Sequence, residues 1–377
     1  MFIFAKDTVI TTYHRAQIAK DFIQHNYMNY LILQYPGHNW VYYQSADQLA
    51  LAELQIAGTK FECDLQEIEI KMIANLRYIH FSTDKPLSER DLNILSKLSF
   101  VFALFKVDEE DPDSTTLTPV ELPIKFHLDP KISTLLKYKG KTNELFTRMM
   151  LNIAVHSSDF AFDKKLELLD PVSGKGTTLF EATTFGYDAY GIEVEGNALQ
   201  EGQTFFKKFL EEERFKHTRS SRVIFKNQGE SPAEITEFEY ALSKQEFKDE
   251  NTRSRLAMVH GAAAEAYNYF KKERFHVIVG DLPYGIKHGN KAGKVYGSPT
   301  RNPVELITES IPGWKKVLRK GGTIVLAWNS HVITRKKMAR FFEEAELEVL
   351  NDAPYDQIEH RVDAAIKRDV IVVKKSS

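Results

Sequence analysis

The feature that most constrains the fold is a glycine-rich segment between an apolar run and a helical pattern. Residues 166–169 predict a strand, residues 177–185 predict a helix, and the segment between them is Asp170-Pro171-Val172-Ser173-Gly174-Lys175-Gly176. Glycine lets the backbone adopt positive φ and approach a ligand closely. A strand, a glycine turn and a helix N-terminus in this order form the ligand-binding turn of doubly wound parallel sheets. The segment therefore predicts an α/β fold with a ligand at the carboxyl edge of its strands.

The segment does not match two other well-known types of glycine-rich loop. It lacks the Gly-Lys-[Ser/Thr] ending of a P-loop and the G-x-G-x-x-G spacing of a dinucleotide-binding turn. A second predicted strand ends in Glu193, about 20 residues further on, where an acid can accept the hydrogen bonds of a ribose diol. The alternatives are a strand–helix turn whose glycines serve packing alone, and a solvated glutamate at a strand end.

A second motif lies further along the chain. The run Val277-Ile278-Val279 predicts a buried strand, and it leads into Asp281-Leu282-Pro283-Tyr284-Gly285. A carboxylate accepts hydrogen bonds from an amine, proline fixes φ and contributes no N–H, and an aromatic ring stacks on a planar base. Together these groups predict a pocket that holds a nucleobase by its exocyclic amine. The alternative is a strand followed by an ordinary type I turn.

The two motifs, in this order, resemble those of the S-adenosylmethionine-dependent amino-methyltransferases. Residues 170–177 are similar to the first family motif, D-P-F-x-G-S-G-T, and residues 281–284 are similar to [DNS]-P-P-[YFW]. Leu282 and Gly285 resemble the D-L-P-[YF]-G variant of one branch, the THUMP-type tRNA guanosine N2-methyltransferases and related putative RNA methylases. The resemblance covers residues 139–374 and implies a Rossmann-like methyltransferase fold, closed by strands at 347–350 and 369–374.

The resemblance implies S-adenosylmethionine as the cofactor and assigns roles residue by residue. The implied cofactor-binding residues are Asp170, Pro171, Ser173, Gly174, Gly176, Thr177, Glu193 and Ala262. The implied catalytic residues are Asp281, Leu282, Pro283 and Tyr284. Family members often carry an acid that contacts adenine in the segment that corresponds to residues 258–263, where this chain has none, so a backbone amide near Ala262 or Ala263 is expected to make that contact here.

A glycine- and lysine-rich loop follows the second motif and leaves the predicted site directly. Its Lys287, His288 and Lys291 are predicted to bind substrate, because cationic side chains contact the phosphates of a nucleic acid. The alternative is a solvated, flexible loop.

Composition limits the remaining possibilities. The chain has 377 residues and a formal net charge of −2, so bulk charge does not favour nonspecific nucleic-acid binding and any contact must come from a local basic face. A single cysteine, Cys63, excludes an intramolecular disulfide and favours a reducing, cytoplasmic setting. No signal peptide, membrane span or metal-ligand cluster is expected.

The chain is long enough for two domains. We predict an accessory α+β domain over residues 1–107, with strands at 1–6, 30–35 and 100–106 and a helix at 87–98. An acidic, proline-containing linker follows at 108–138, and the methyltransferase domain occupies 139–377. Within it, the charged residues 226–255 predict an irregular, partly helical insertion.

The predicted reaction is methyl transfer to the exocyclic amine of a nucleobase in RNA, most specifically guanosine N2 in tRNA. The Asp281 carboxylate and the Leu282 carbonyl are expected to orient the amine, with Tyr284 stacked on the base. One alternative is a DNA adenine-N6 or cytosine-N4 methyltransferase, against which no base-reading domain is recognised. Another is a catalytically inactive nucleic-acid-binding module.

Overall fold

The computed structural model describes residues 27–35, 40–111, 114–224, 232–284 and 303–376. They divide into two compact units, one of residues 27–35 and 58–124 and the other of residues 40–57 and 125–376. Helix α1 (Trp40–Gly58) belongs to the second unit except for its last residue. Both sequence motifs lie in the second unit.

The first unit is an antiparallel sheet with a short helix. Its strands are β1 (Met28–Gln34), β2 (Leu65–Ile73), β3 (Leu76–Thr83), β4 (Val101–Asp111) and β5 (Ser114–Val120), in the spatial order β2-β3-β1-β4-β5. Helix α2 (Glu89–Leu95) begins with a capping box, in which Ser88 accepts from the Asp91 amide and Asp91 accepts from the Ser88 amide. Strands and a helix therefore occupy the places predicted at 30–35, 100–106 and 87–98, whereas the strand predicted at 1–6 lies outside the described residues.

Among the described residues, the second unit is built on a ten-stranded mixed sheet. Its strands are β6 (Glu167–Asp170), β7 (Asp188–Glu193), β8 (Lys216–Ile224), β9 (Ala233–Ala241), β10 (Ser254–His260), β11 (Phe275–Asp281), β12 (Leu318–Asn329), β13 (Glu348–Leu350), β14 (His360–Arg361) and β15 (Lys367–Lys374). Their spatial order is β13-β15-β12-β11-β6-β7-β10-β9-β8, with β14 paired to β15.

The five central strands, β12-β11-β6-β7-β10, run parallel. In chain order, β7 and β10 follow β6 and lie on one side of it, and β11 and β12 come next and lie on the other side. The strand order thus reverses between β6 and β11, and doubly wound sheets bind their ligands outside the carboxyl ends of the strands at such a point. The closing strands β13 and β15 lie where the resemblance placed them, so the predicted α/β, Rossmann-like fold is confirmed.

Helices cover both faces of this sheet. They are α1 together with α3 (Lys131–Leu135), α4 (Glu144–Ser157), α5 (Thr177–Thr184), α6 (Gly196–Glu212), α7 (Ala266–Tyr269), α8 (Pro303–Val317) and α9 (Arg335–Glu343). One hydrophobic core joins α1, α4, α5 and α6 to one face, and a second joins α7, α8 and α9 to the other. Because the central strands are covered on both sides, β11 is a nearly continuous apolar run that is buried up to its last residue.

The boundaries of the two units differ from the predicted domains. The segment predicted as a linker at 108–138 begins inside a hairpin, because β4 extends to Asp111 and β5 follows at Ser114–Val120. The threonine-rich sequence of β5 favours a strand, a preference that the acidic composition of the preceding residues obscured. The irregular insertion predicted at 226–255 is wrong for Ala233–Ala241, which form β9 and pair with β8 and β10.

Candidate active site

Three acidic residues end three neighbouring strands at the same edge of the second unit. Asp170 is the last residue of β6, Glu193 of β7 and Asp281 of β11. A Cβ atom added to Gly280 would lie 3.3 Å from Asp170 Oδ1, so the residue before Asp281 packs directly against the start of the glycine loop. The two sequence motifs are therefore adjacent at the switch point of the sheet.

The glycine loop adopts the backbone conformation that its sequence predicts. Gly174 has φ of +52° and Gly176 has φ of +98°, which is the left-handed region that favours glycine. Gly176 also precedes the first residue of α5, and a Cβ atom there would lie 3.1 Å from the ring of Phe180. A side chain at this position would meet both backbone strain and a steric contact.

The loop is fixed to β7 by hydrogen bonds. The Ser173 amide donates to the Ile192 carbonyl (2.9 Å) and the Gly174 amide to Glu193 Oε2 (2.8 Å). Glu193 Oε1 accepts from the Glu195 amide at 2.7 Å. The carboxylate of Glu193 thus holds the loop, and since a carboxylate has about four lone-pair sites, it retains acceptor capacity for a diol.

Asp170 lies beneath the loop and is almost fully buried, with 2% of its surface exposed. Burial raises the pKa of its carboxyl from the usual 3.8 to about 7, and the negative charges of Glu193 and Asp281 act in the same direction, although a hydrogen bond from the Val172 amide (2.9 Å) opposes them. Because the charges of Glu193 and Asp281 oppose the ionisation of Asp170, a cationic ligand is favoured at this edge.

Residues just before α4 join the two motifs. The hydroxyl of Tyr138 lies 2.9 Å from that of Thr177, the first residue of α5, and the ammonium of Lys175 lies 4.9 Å from the centre of the Tyr138 ring. The hydroxyl of Thr142 donates to Asp281 Oδ2 at 2.6 Å. The segment 138–142 therefore contacts the start of α5 at one end and the Asp281 turn at the other.

The carboxylate of Asp281 is held by hydroxyl groups. In addition to Thr142, the Tyr284 hydroxyl lies 2.7 Å from Oδ1 and 2.9 Å from Oδ2. Burial raises the pKa of Tyr284, and the negative charge of Asp281 adds to this, so the phenol stays protonated and remains a donor. The Leu282 amide donates to the Ala327 carbonyl at 2.9 Å, which fixes the turn to β12, while the Pro283 ring is exposed.

Arg368 completes this network, and sequence reasoning gave it no role. Its Nε donates to the Tyr284 hydroxyl at 2.6 Å, and its Nη2 lies 3.8 Å from Asp281 Oδ2. The only signal in the sequence was that residues 360–369, just before the predicted closing strand, are largely polar, and this assigned them no chemistry. Thr142 was missed as well, because nothing in a loop sequence indicates a contact with a turn 139 residues away.

The remaining predicted site residues are placed as follows. The Ala262 amide, predicted to contact adenine, donates to the Tyr269 hydroxyl at 3.1 Å, and that hydroxyl donates to Glu265 at 2.8 Å. Pro171 and Ser173 are buried in the glycine loop. The predicted substrate-binding residues Lys287, His288 and Lys291 lie outside the described residues.

A separate cleft lies at the opposite edge of the sheet. It is lined by residues near the amino ends of β6, β7 and β10, among them Lys165, Gly186 and Ser254. It is therefore distinct from the edge where the two motifs meet.

In the part of the chain that the structure describes, no group of three or more histidine, cysteine, aspartate or glutamate side chains is arranged to hold a metal ion. Among the same residues, no helix is both long and apolar enough to cross a membrane.

No family model and no curated protein sequence matches the chain. Among solved structures, TrmN from Thermus thermophilus is similar, with 12% identity, a TM-score of 0.41, and coverage of 92% of this chain and 99% of TrmN. A TehB-like SAM-dependent methyltransferase from Corynebacterium glutamicum has 13% identity and a TM-score of 0.33, with 58% of this chain and 84% of that chain covered. An rRNA methylase from Streptococcus thermophilus has 11% identity and a TM-score of 0.31, covering 64% of this chain and all (100%) of that chain. Likenesses at this level establish neither substrate nor activity for this chain.

Proposed function

We propose that the second unit is an S-adenosylmethionine-dependent methyltransferase that acts on the exocyclic amine of a nucleobase in RNA, with guanosine N2 in tRNA as its target. The observation that carries the proposal is the meeting of the glycine loop with the Asp281 turn. The distance of 3.3 Å between Asp170 Oδ1 and a Cβ atom built on Gly280 expresses this adjacency. A cofactor cradled by the first motif would present its reactive group to the second.

The cofactor is held through its cationic and polar groups. Asp170 and the glycine loop bind the methionine portion, whose ammonium group suits the acidic edge of the sheet. Glu193, already bonded to the Gly174 amide at 2.8 Å, accepts the hydrogen bonds of the ribose diol with its remaining lone pairs. S-adenosylmethionine would supply a methyl group on a positively charged sulfur: as the neutral amine bonds to the methyl carbon, the carbon–sulfur bond would break to leave a neutral thioether, and the surplus proton would leave the nitrogen for solvent after transfer.

Asp281 orients and stabilises the reacting amine. Its carboxylate accepts a hydrogen bond from the amine, and the Leu282 carbonyl accepts another, so the nitrogen lone pair points along the line of transfer. The nitrogen becomes positively charged in the transition state, and a nearby carboxylate stabilises that charge more than it stabilises the ground state. The base reaches the pocket only after it leaves its stack.

The proposal that the substrate is RNA, and guanosine in particular, rests on the sequence of the turn at residues 281–285. Leu282 and Gly285 resemble the branch that acts on guanosine N2 in tRNA. Leu282 is 1% exposed and its amide is bonded to β12, so the residue shapes the turn through its backbone.

The test is methylation by the purified protein with isotope-labelled S-adenosylmethionine. Bulk tRNA, ribosomal RNA and genomic DNA from cells that lack the protein are offered separately, and the digested nucleosides are identified by mass spectrometry. Label in N2-methylguanosine from tRNA is the expected result. Label in N6-methyladenine or N4-methylcytosine from DNA would instead assign the chain to the DNA enzymes.

The matched control is Asp281→Ala, which removes the proposed acceptor and leaves the glycine loop intact. We expect turnover to fall by about 10²-fold or more with cofactor affinity unchanged. An Asp281→Ala protein as active as the wild type would refute the mechanism, and cofactor binding without transfer to any nucleic acid would favour the inactive binding module.

A further inference from the structure

Arg368 is a buried cation at the centre of the candidate site. Its side chain is 8% exposed, and its guanidinium carbon lies 4.4 Å from the centre of the Phe146 ring and 5.4 Å from that of Tyr284. Its Nε donates to the Tyr284 hydroxyl at 2.6 Å. Two rings and one hydrogen bond therefore fix the plane of the guanidinium.

The topology explains how this residue reaches the site. β15 runs antiparallel to β12, and Arg368 pairs with Asn329, the last residue of β12. The first residues of an antiparallel strand lie at the edge where its parallel neighbours end. Strand β15 therefore places Arg368 at the same edge of the sheet as Asp281.

Most of the hydrogen-bonding capacity of this guanidinium is unused within the described residues. A guanidinium carries five N–H donors, and only Nε donates to a described residue, since Nη2 lies 3.8 Å from Asp281 Oδ2, beyond hydrogen-bond distance. A buried cation is costly unless its donors find acceptors. As far as the described residues go, the Nη groups are thus left for a ligand that binds beside Asp281.

A cation at this distance also has a cost for the proposed reaction. It weakens the stabilisation that the Asp281 carboxylate gives to a nitrogen that is gaining positive charge. A residue placed there is better explained if it binds an oxygen acceptor of the substrate.

We propose that Arg368 selects guanine by donating to the O6 carbonyl while Asp281 accepts from the amine. Guanine presents the N2 amine, the N1–H and O6 side by side, which matches a carboxylate next to a guanidinium. Adenine has no carbonyl in that place. Cytosine has O2 there, but the ring nitrogen between its amine and O2 carries no hydrogen and would turn a lone pair toward the Asp281 carboxylate. This inference rests on the proposed function and assigns the residue that selects its base.

The test compares guanosine with 6-thioguanosine at the modified position of the RNA identified above. The analogue keeps the amine and the N1–H and replaces O6 by sulfur, a weak acceptor. We expect the wild-type kcat/KM to fall by about 10- to 100-fold with the analogue. Arg368→Met should lose activity on guanosine but treat both substrates alike within about threefold, because the discriminating donor is gone.

Two further variants separate selection from a bracing role. Tyr284→Phe removes the hydroxyl that Nε binds and leaves the Nη groups in place, so it should lower activity on both substrates and keep their ratio. Thermal unfolding and cofactor binding would reveal whether Arg368→Met folds. If it does not, Arg368→Lys replaces it in the test, and because it keeps a cation it should keep part of the ratio.

The outcomes distinguish this inference from the proposed function. No methylated guanosine with the wild-type protein would overturn both. An active wild type that uses both substrates equally, or an unchanged ratio in the folded Arg368 variants, would overturn the role of Arg368 alone.

Discussion

Asp170 should make the stability of the protein depend on pH in a direction unusual for a carboxylate. In the folded chain its pKa is raised from 3.8 to about 7, chiefly by burial. Between about pH 4 and 7 the folded state therefore binds a proton that the unfolded state has released, and stability falls as the pH rises through this window. At ~1.4 kcal/mol per pH unit, the full effect is roughly 4 kcal/mol, present below pH 4 and lost above pH 7.

The perturbation is Asp170→Asn, which cannot ionise and can still accept from the Val172 amide. The free energies of unfolding of variant and wild type, measured by urea denaturation from pH 4 to 8.5, should diverge as the pH rises, with the variant more stable at high pH by up to roughly 4 kcal/mol. Asp352→Asn, at an exposed position, should shift stability by less than about 0.5 kcal/mol at every pH. A difference between Asp170→Asn and wild type that does not change with pH would refute this reasoning.

The same linkage extends to the cofactor. A cationic ligand favours ionised Asp170, so S-adenosylmethionine should bind more tightly as the pH rises to about 7 and should release a proton on binding below that pH. Calorimetry in buffers of different ionisation enthalpy measures that proton. Its presence in Asp170→Asn at the wild-type level would assign it to another group.

Three further substitutions test the loop and the core. Glu193→Ala should weaken cofactor binding by about 1–3 kcal/mol in calorimetric titration, because the Gly174 amide loses its acceptor and the ribose diol is left unpaired; equal affinity would remove its assigned role. Gly176→Ala should lower stability by more than about 1 kcal/mol in thermal unfolding, since φ is +98° there, and an unchanged melting temperature would contradict that conformation. Arg335→Met should lower the free energy of unfolding by about 3–5 kcal/mol, because Asp369, 1% exposed, accepts from Arg335 Nη1 at 2.9 Å and would be left buried without that partner. A loss in urea denaturation below about 1 kcal/mol, of the order of a surface ion pair, would show that the pair is solvated.

The parts of the site that sequence predicted are those fixed by local backbone. Positive φ at Gly174 and Gly176 is a conformation that glycine favours. The ends of the two buried strands are visible as the points where an apolar run gives way to an acid. Because parallel strands of a doubly wound sheet end at one edge, the sequence also predicts a ligand at the carboxyl ends of these strands.

The parts that sequence did not predict depend on register and on long-range packing. Thr142 precedes α4 and meets Asp281 only because α4 packs on the sheet. Arg368 reaches the site only because β15 pairs with β12 in one particular register, and a shift of one residue would turn its side chain to the other face. Neither contact leaves a local pattern in the sequence.

In the proposed reaction, the hydroxyl groups around Asp281 would allow a base to bind without leaving a buried group unpaired. The Tyr284 hydroxyl lies within hydrogen-bond distance of both carboxylate oxygens, at 2.7 and 2.9 Å, and Thr142 donates to Oδ2. An amine that donates to Oδ1 therefore leaves Tyr284 its contact with Oδ2. No buried hydroxyl is left without an acceptor, and the free-energy penalty of an unpaired buried donor is avoided. Because Thr142 and Arg368 hold the carboxylate and the phenol in place, Asp281 would, in the proposed reaction, be oriented before a substrate binds, which is the condition under which a fixed charge lowers a barrier most.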